Sequence, residues 1–290
     1  MPQRAWAAGI PAIPVRLAAG PIDMHPVLFR LGSLQIDTYS VLWFLALSLA
    51  ILWSVRRFPL YGVDDGAGRH VIGWSFLWML FGARAMEYLR NAQDYIADPS
   101  LFLDLKHGEL SEVGAFLGAF LAALVLCRRN PKAPFQSLCG VVALPAALTM
   151  LVGRWGCFFN GCCVGIASKC ALALHFPRDP IGVARHPTQL YYSAAAAAML
   201  LVLYLVERAL IRRVRQGEGL QESAGARGGA VTSIGLMLYA AMRLSVDVVR
   251  ADAPVDGLSP SHWILLGALP LELVWLWRSL RALKQDDRRA

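Results

Sequence analysis

Charged residues are scarce in this chain. They make up 17% of its 290 residues, whereas a soluble domain usually carries about 25%. Hydrophobic residues reach 57%, and the mean hydropathy is +0.48. The scarcity of charge argues against a soluble globular domain. The apolar residues also come in blocks long enough to cross a lipid bilayer.

Other expected patterns are missing as well. The alternation of apolar and polar residues that marks a membrane β-barrel is absent, so the spans are expected to be helices, because lipid offers no partner to backbone amides. No RNA- or DNA-binding motif accompanies the net charge of +8, so no nucleic-acid partner is expected. Pro11 and Pro14 interrupt the apolar run that a signal peptide needs. Met24 is a plausible alternative start, which makes residues 1–23 an extension that could be dispensable.

The apolar blocks predict an all-α, polytopic helical membrane protein with about seven transmembrane helices. Six and eight helices remain as alternatives. A short run of alanines at 194–198 indicates close packing against another helix. The predicted spans are 39–55, 71–88, 114–126, 135–152, 190–206, 230–249 and 263–277.

Lys and Arg are divided unequally between the two alternating sets of connections. Of the 28, sixteen lie in one set, ten lie in the other, and Arg84 and Arg243 lie within predicted spans. The positive-inside rule puts the richer set in the cytoplasm, so the N-terminus is predicted outside and the C-terminus in the cytoplasm. The segment 153–189 then lies on the outer face. The sixteen are Arg56, Arg57, Arg69, Arg128, Arg129, Lys132, Arg208, Arg212, Arg213, Arg215, Arg227, Arg278, Arg281, Lys284, Arg288 and Arg289.

Four ionisable residues fall inside or at the ends of predicted spans, where a charge costs about 2.5–3.5 kcal/mol on insertion scales. Arg84 and Glu87 are three residues apart, and Arg243 and Asp247 are four apart. Each pair can therefore lie on one helix face and neutralise itself. The pairs are either structural ion pairs in the bundle interior or part of a polar cavity for a charged headgroup, and we favour the cavity.

A glycine-rich segment at 153–165 holds the densest set of unusual residues. Its four glycines predict that the helix breaks there and that backbone amides approach a ligand. Arg154 offers a planar fork of donors that matches phosphate oxygens. An ordinary glycine-rich loop with a lipid-anchoring arginine is the alternative. Cys157, Cys162 and Cys163 lie in the same segment, but Cys-x4-Cys-Cys is not a standard zinc spacing, so no metal site is predicted.

Polar groups also crowd the start of the fifth span, at 186–191. Pro187 restricts His186 to an extended conformation. A lone histidine is more often structural than catalytic, but this group of polar side chains suits a headgroup site.

Taken together, these motifs resemble the prolipoprotein diacylglyceryl transferase family over residues 24–283, which would form a single transmembrane domain followed by a cytoplasmic tail at 284–290. Five segments carry the resemblance in chain order. They are 25–29 with Tyr39, 82–84, 153–165, 186–191, and 239–243 with Asp247 and Arg250.

The resemblance implies an enzyme of the bacterial inner membrane that crosses the bilayer several times. It would transfer a diacylglyceryl group from phosphatidylglycerol to the lipobox cysteine thiol of a prolipoprotein and release glycerol 1-phosphate. The implied partners are phosphatidylglycerol, prolipoprotein signal peptides and the lipid bilayer, and no cofactor is expected. Arg154 and Arg243 are the implied catalytic residues, as cations on the leaving phosphate. The implied substrate-binding residues are Arg154, Tyr39, Arg84, Asn160, Gly165, His186, Gln189 and Tyr191.

The chain departs from the family pattern at the positions proposed for acid–base chemistry. Val113 stands where the family has its essential His, and Tyr192 stands where a Glu follows Leu-Tyr. His186 and Glu112 are candidates for the missing base. Alternatively, nearby arginines lower the pKa of the acceptor thiol without a dedicated base. The alternative function is a non-catalytic or altered-specificity phospholipid- or lipoprotein-binding membrane protein of the same fold.

Two further departures lie in the glycine-rich segment. Cys157 stands where the family signature has Asn, and Cys162 stands where it has Glu. On an oxidising outer face, a disulfide from Cys157 to Cys162 or to Cys163 is expected to fix the loop in place of the Asn and Glu hydrogen bonds. Free, packed cysteines are the alternative.

Overall fold

The computed structural model describes residues 25–32, 34–102, 111–179, 181–215, 223–251 and 260–286. The predicted extension at 1–23 and the end of the predicted tail lie outside these ranges. The described residues contain eight α-helices and two small antiparallel sheets. The helices are α1 (Thr38–Arg57), α2 (Asp65–Arg90), α3 (Ala92–Ala97), α4 (Glu112–Arg129), α5 (Phe135–Asn160), α6 (Thr188–Arg215), α7 (Ala224–Val246) and α8 (Pro260–Asp286). The strands are β1 (Val27–Leu31), paired with β2 (Leu34–Asp37), and β3 (Leu174–His175), paired with β4 (Ala184–Arg185).

The predicted all-α polytopic fold is confirmed, and each predicted span coincides with a long helix. Five segments are long and apolar enough to cross a membrane: Thr38–Arg57, Phe135–Asn160, Thr188–Arg212, Ala224–Val249 and His262–Gln285. The other two predicted spans, α2 and α4, lie outside this set. Helix α4 has 18 residues and includes one Glu and two Arg, while α2 carries several charged residues along its length. Their crossing of the membrane, and the orientation of the chain, stay predictions.

Helix α5 lies at the centre of the bundle. It packs against α1, α6 and α7, and α8 packs against α7. Helices α2 and α4 pair with each other through glycines. A Cβ on Gly82 would stand 2.4 Å from the Gly114 carbonyl oxygen, and one on Gly118 would stand 2.1 Å from the Trp78 carbonyl oxygen. Such close backbone approach is typical of helix pairs in membranes. Lipid gives little hydrophobic driving force for association, so helices associate through close packing at small residues.

The predicted helix break within the segment 153–165 occurs at the third of its four glycines, not at the first two. Helix α5 continues through Gly153 and Gly156 and ends at Gly161, which adopts a left-handed conformation with φ +70°. The inner glycines make room for α1, since a Cβ on Gly153 would stand 2.9 Å from the Trp43 ring. Only Gly161 uses the conformational freedom of glycine to stop the helix.

The alanine run at 194–198 packs less extensively than the sequence predicted. Among these five residues Ala196 is fully buried, Ala195 is half-buried and the other three are exposed. An α-helix has 3.6 residues per turn, so five consecutive side chains point in all directions around it and cannot all face one neighbouring helix. Close packing therefore involves one face of the run.

Candidate functional site

The ring of Tyr192 brings the two predicted catalytic arginines together. Tyr192, near the start of α6, is 1% exposed. The guanidinium carbon of Arg154 lies 4.2 Å from the centroid of this ring, and that of Arg243 lies 5.8 Å from it. The two guanidinium carbons are therefore at most about 10 Å apart, the sum of the two distances. Helices α5 and α7 thus bring the two arginines to one ring, and a shared phosphate site for them stays a prediction.

Asp247 is the carboxylate at the centre of this cluster, and it is buried. The Tyr192 hydroxyl donates a hydrogen bond to its Oδ1. The Arg243 Nε lies 3.3 Å from its Oδ2, and the Arg250 Nε lies 3.9 Å from its Oδ1. The predicted pairing of Arg243 with Asp247 is thus confirmed. Within the part of the chain that the structure describes, three arginines and one carboxylate meet here, an arrangement that suits an anion.

His262, in the first turn of α8, is a member of this cluster that the sequence did not reveal. Its side chain is buried, and its Nε2 lies 2.9 Å from the Asp247 Oδ2. The residue precedes the predicted seventh span, so it gave no signal as an intramembrane charge. Only the packing of α8 against α7 places it beside Asp247.

The connection that follows α5 is tied to the end of α7. The amide of Ile166 donates to the Val249 carbonyl at 2.9 Å, and the amide of Ala251 donates to the Val164 carbonyl at 3.2 Å. Gly165 lies between these bonds. A Cβ there would stand 2.6 Å from both the His186 Cβ and the Val249 carbonyl oxygen. Gly165 therefore permits backbone contact, which explains why the position needs a glycine.

Gln189, a residue of α6, forms a hydrogen bond with the backbone of the glycine-rich segment. Its side chain is fully buried, and its Nε2 donates to the Cys162 carbonyl at 2.6 Å. Its Oε1 has no hydrogen-bond partner among the described residues. A buried oxygen without a donor is costly, so this atom is a candidate to accept a hydrogen bond from a bound hydroxyl group.

His186 and Tyr191 form a smaller polar group at the mouth of the segment. The His186 Nδ1 lies 3.0 Å from the Tyr191 hydroxyl and 3.6 Å from the Cys170 sulfur. Asn160 makes a separate contact, because its Oδ1 accepts from the Arg178 Nη1 at 2.7 Å. The described contacts of His186 are with this outer group, so its role as the missing base stays a prediction.

Tyr39 and Arg84 complete the predicted binding set. Tyr39 begins α1 and lies beside the site: its carbonyl would stand 3.3 Å from a Cβ on Gly156, and its phenol interacts electrostatically with Arg154. Arg84 is buried on α2, in the pair formed with α4. Its part in headgroup binding stays a prediction. Val113, at the position of the family His, is 44% exposed on α4.

The three cysteines of the segment come together without a disulfide. All six cysteines of the chain fall within the described residues, and all are free thiols. The predicted bridge is therefore absent from this structure. The sulfurs of Cys157, Cys162 and Cys163 lie within 4.8 Å of one another, so the thiols form a group of three rather than a pair. Hydrogen bonds with the thiols of Cys157 and Cys163 lower the pKa of Cys162.

The arrangement can bind an anionic phosphate at one end of the helix bundle. Tyr39, Arg154, Tyr192 and Asp247 lie near helix ends on the same side of the bundle. The approach of Gly156 to the Tyr39 carbonyl and the contacts of Tyr192 with Arg154 and Asp247 show this. Guanidinium groups hold phosphate oxygens through oriented pairs of donors.

Comparisons with known proteins agree with this chemistry. A family model described as prolipoprotein diacylglyceryl transferase matches residues 26–278. The chain is similar to the phosphatidylglycerol–prolipoprotein diacylglyceryl transferase of Rhizobium meliloti, with 30% identity over 93% of this chain and 96% of the relative. The corresponding proteins of Synechococcus elongatus and Pseudomonas fluorescens are 29% and 28% identical, over 91% and 88% of this chain and 92% and 93% of the relatives.

Proposed function

Because this chain belongs to the prolipoprotein diacylglyceryl transferase family, we propose that Arg154 and Arg243 bind the phosphate of phosphatidylglycerol while its diacylglyceryl group passes to the cysteine thiol of a prolipoprotein. The chain is a membrane-bound transferase of this reaction type. The observation that carries the assignment of roles is the shared contact of both guanidinium groups with the ring of Tyr192.

The reaction makes one carbon–sulfur bond and breaks one carbon–oxygen bond. The acceptor sulfur attacks the glyceryl carbon that is bound to the phosphate oxygen. The bonding electrons leave with that oxygen, so the phosphodiester, with one negative charge, becomes glycerol 1-phosphate, with a second charge developing. The thiol proton passes to the leaving phosphate or to water, so that atoms and charge balance. Cations that are fixed around the phosphate stabilise this developing charge more than they stabilise the substrate, which is how they accelerate the reaction.

Asp247 keeps the arginines in place while no phosphate is bound. Arginines that face each other without a counter-charge repel one another and are poorly solvated in a buried site. Asp247 lies 3.3 Å from the Arg243 Nε and accepts from Tyr192. An arriving phosphate takes over part of this pairing. The same positive surroundings favour the thiolate form of the acceptor cysteine, which lowers its pKa.

Gln189 and Tyr39 are suited to contacts with the rest of the headgroup. The Gln189 Oε1, which lacks a partner among the described residues, can accept from a glycerol hydroxyl group. Tyr39 lies at the same end of the bundle as Arg154 and is 37% exposed. We place this end at the outer face of a bacterial inner membrane, with several crossings and the C-terminus in the cytoplasm, in accord with the distribution of Lys and Arg. The acceptor is then the signal-peptide region of a prolipoprotein, which reaches the site from the membrane.

The test is a pair of substitutions, Arg154→Lys and Arg243→Lys. Lysine keeps the charge but loses the two oriented donors, so each variant should lose most of its transfer activity while it still folds. Activity is measured as the mass increase of a lipobox peptide incubated with labelled phosphatidylglycerol, and folding as thermal stability in detergent. Arg208→Lys is the matched control, because Arg208 is an exposed arginine of α6.

The outcomes separate the hypotheses. A purely structural role for the arginines predicts loss of folded protein, with full activity in whatever protein survives. If both Lys variants fold and transfer at the level of Arg208→Lys, the shared phosphate site is wrong. Wild-type protein that binds phosphatidylglycerol without modifying the peptide would instead support the non-catalytic alternative, which no observation on the described residues favours.

A further inference from the structure

We propose that Cys157, Cys162 and Cys163 form a binding site for one thiophilic d10 metal ion, Cu⁺ or Zn²⁺. The site goes beyond the transfer reaction and stands on its own geometry. Thiolate sulfur is a soft ligand and selects ions of this class over Mg²⁺ or Ca²⁺.

The sulfur positions fit a single ion. The three sulfurs lie within 4.8 Å of one another. Metal–sulfur bonds of about 2.3 Å in a trigonal plane place the sulfurs about 4.0 Å apart. The sulfurs are therefore less than about 1 Å further apart than one ion requires, a difference that small side-chain rotations can close.

The backbone is held in the conformation that gathers these thiols. Cys163 has a φ of +60° and is the one non-glycine residue with positive φ in the part of the chain that the structure describes. Such a conformation costs roughly 1–3 kcal/mol and persists only when its surroundings enforce it. Here the Thr188 hydroxyl donates to the Cys163 carbonyl at 2.5 Å, and Gln189 donates to the Cys162 carbonyl at 2.6 Å. The Cys157 carbonyl accepts from the Cys162 amide at 3.2 Å.

The two ions would complete their coordination at the three cysteines in different ways. Among the described residues, no His, Asp or Glu joins the three cysteines in the cluster. Three-coordinate Cu⁺ needs no further ligand, whereas tetrahedral Zn²⁺ takes a water as its fourth. Arg250 interacts electrostatically with Cys163 and offsets part of the negative charge that three thiolates bring.

The experiment uses the full chain, purified in detergent with a reductant and a chelator and then desalted without oxygen. Cu⁺ is titrated against a chromophoric Cu⁺ chelator, and Zn²⁺ against a fluorescent one, and the bound metal is counted by mass spectrometry. One ion per chain is expected. Maleimide labelling, read peptide by peptide with and without the metal, should show that the metal slows labelling of Cys157, Cys162 and Cys163 only, with exposed Cys170 labelled equally in both as the internal control.

Matched serine variants locate the site. Cys162→Ser should weaken binding by more than about 100-fold, the upper end for loss of an outer-shell partner alone. Cys139→Ser, a thiol of α5 outside the cluster, should bind as the wild type does. If Cys162→Ser fails to fold, the protection pattern of the wild type decides.

Three results would overturn the proposal. They are absence of tight binding for either ion, equal binding by Cys162→Ser, and a disulfide among the three cysteines in membranes that are alkylated at lysis without reductant. The disulfide would leave one thiol where the site needs three.

Discussion

Tyr192 performs two separable tasks. Its ring contacts the guanidinium groups of Arg154 and Arg243, and its hydroxyl donates to Asp247. The ring therefore presents one aromatic face to both arginines, while Asp247 supplies the negative charge beside Arg243. A cation over a desolvated aromatic ring gains about 2 kcal/mol.

Two substitutions at Tyr192 should separate its effect on phosphatidylglycerol binding from its effect on the stability of the fold. Tyr192→Phe keeps the ring and loses the bond to Asp247, so we expect a lower melting temperature with a nearly unchanged KM for phosphatidylglycerol. Tyr192→Leu loses both, and its KM should rise about tenfold or more, since 1.4 kcal/mol corresponds to a factor of ten. Transfer kinetics in detergent and thermal unfolding measure the two effects. A Phe variant with the same rise in KM as the Leu variant would show that the ring is not the contact that matters.

Cys170 gives a pH-dependent readout on the connection between α5 and α6. A hydrogen bond from Ser168 lowers the pKa of this exposed thiol. The thiolate is the reactive form, so alkylation by iodoacetamide should reach half its maximal rate at a lower pH than in a peptide of residues 165–175. Ser168→Ala should move the midpoint upward and slow alkylation near neutral pH. Site-resolved mass spectrometry between pH 6 and 10 measures it, and equal midpoints in peptide and protein would contradict the contact.

At this scale the sequence identified the charges but not their neighbours. Arg243 and Asp247 were predictable because charge inside an apolar block is costly and demands a partner. Arg154 was predictable because it lies in a glycine-rich segment and offers donors that match phosphate oxygens. Tyr192 and His262 were not, because a tyrosine in an apolar helix and a histidine ahead of one carry no local signal. Their role arises from contacts between α5, α6, α7 and α8, which periodicity does not encode.

At the scale of elements, the pairing of α2 with α4 depends on backbone contact at three glycines. A Cβ at Gly82 would meet the carbonyl oxygen of Gly114 at 2.4 Å, and backbone cannot move aside as a flexible side chain can. The two helices would have to separate, and their packing would be lost along the whole contact.

Gly82→Ala should therefore destabilise the protein, by about 1–3 kcal/mol as for other overpacked sites. Gly73→Ala is the matched control, since Gly73 lies on the same helix and nothing lies within 4 Å of its added Cβ. Melting temperatures in detergent compare the two. Equal values would mean that α2 and α4 are not held by this contact.

The sequence predicted the positions of the helices better than their ends. Long apolar blocks located all seven long helices, because a run of apolar residues long enough to cross a bilayer can be recognised from the sequence alone. The four glycines of 153–165 predicted a break but not its position, since the helix passes Gly153 and Gly156 and ends at Gly161. Whether a glycine ends a helix or admits a neighbour depends on what lies opposite it, and here Trp43 of α1 occupies that space.

For the whole molecule, topology is the sharpest open prediction. Seven crossings place Ser100, between α3 and α4, outside with Lys169, and Lys132, between α4 and α5, inside with Gln285. All four side chains are exposed. Single cysteines at these positions, in a cysteine-free background, should react with an impermeant maleimide from outside at 100 and 169 only. Labelling of 100 and 132 from the same side would show that α2 and α4 do not cross, and external labelling of 285 would reverse the orientation.

A second buried charge cluster lies at the opposite end of the bundle from Tyr192. Arg57, at the end of α1, donates from Nη1 to the Glu207 Oε2 at 2.9 Å and from Nε to the Val141 carbonyl at 2.9 Å. Tyr61 also donates to Glu207. Two arginines counted as loop charges, Arg57 and Arg227, are in fact buried here. The excess of sixteen over ten therefore includes charges that serve packing as well as orientation.

The separation of Arg57 from Glu207 also sets an order in time. The two residues are 150 positions apart in the chain, and a ribosome adds about 5–20 residues per second. Arg57 therefore waits roughly 8–30 s for its carboxylate after it leaves the ribosome. During that interval its long side chain can keep the charge in the interfacial water while α1 is already in the bilayer. The end of α1, the first helix to insert, thus reaches its final buried environment only after the fifth predicted span has been made. An early segment of the chain is therefore among the last to complete its packing.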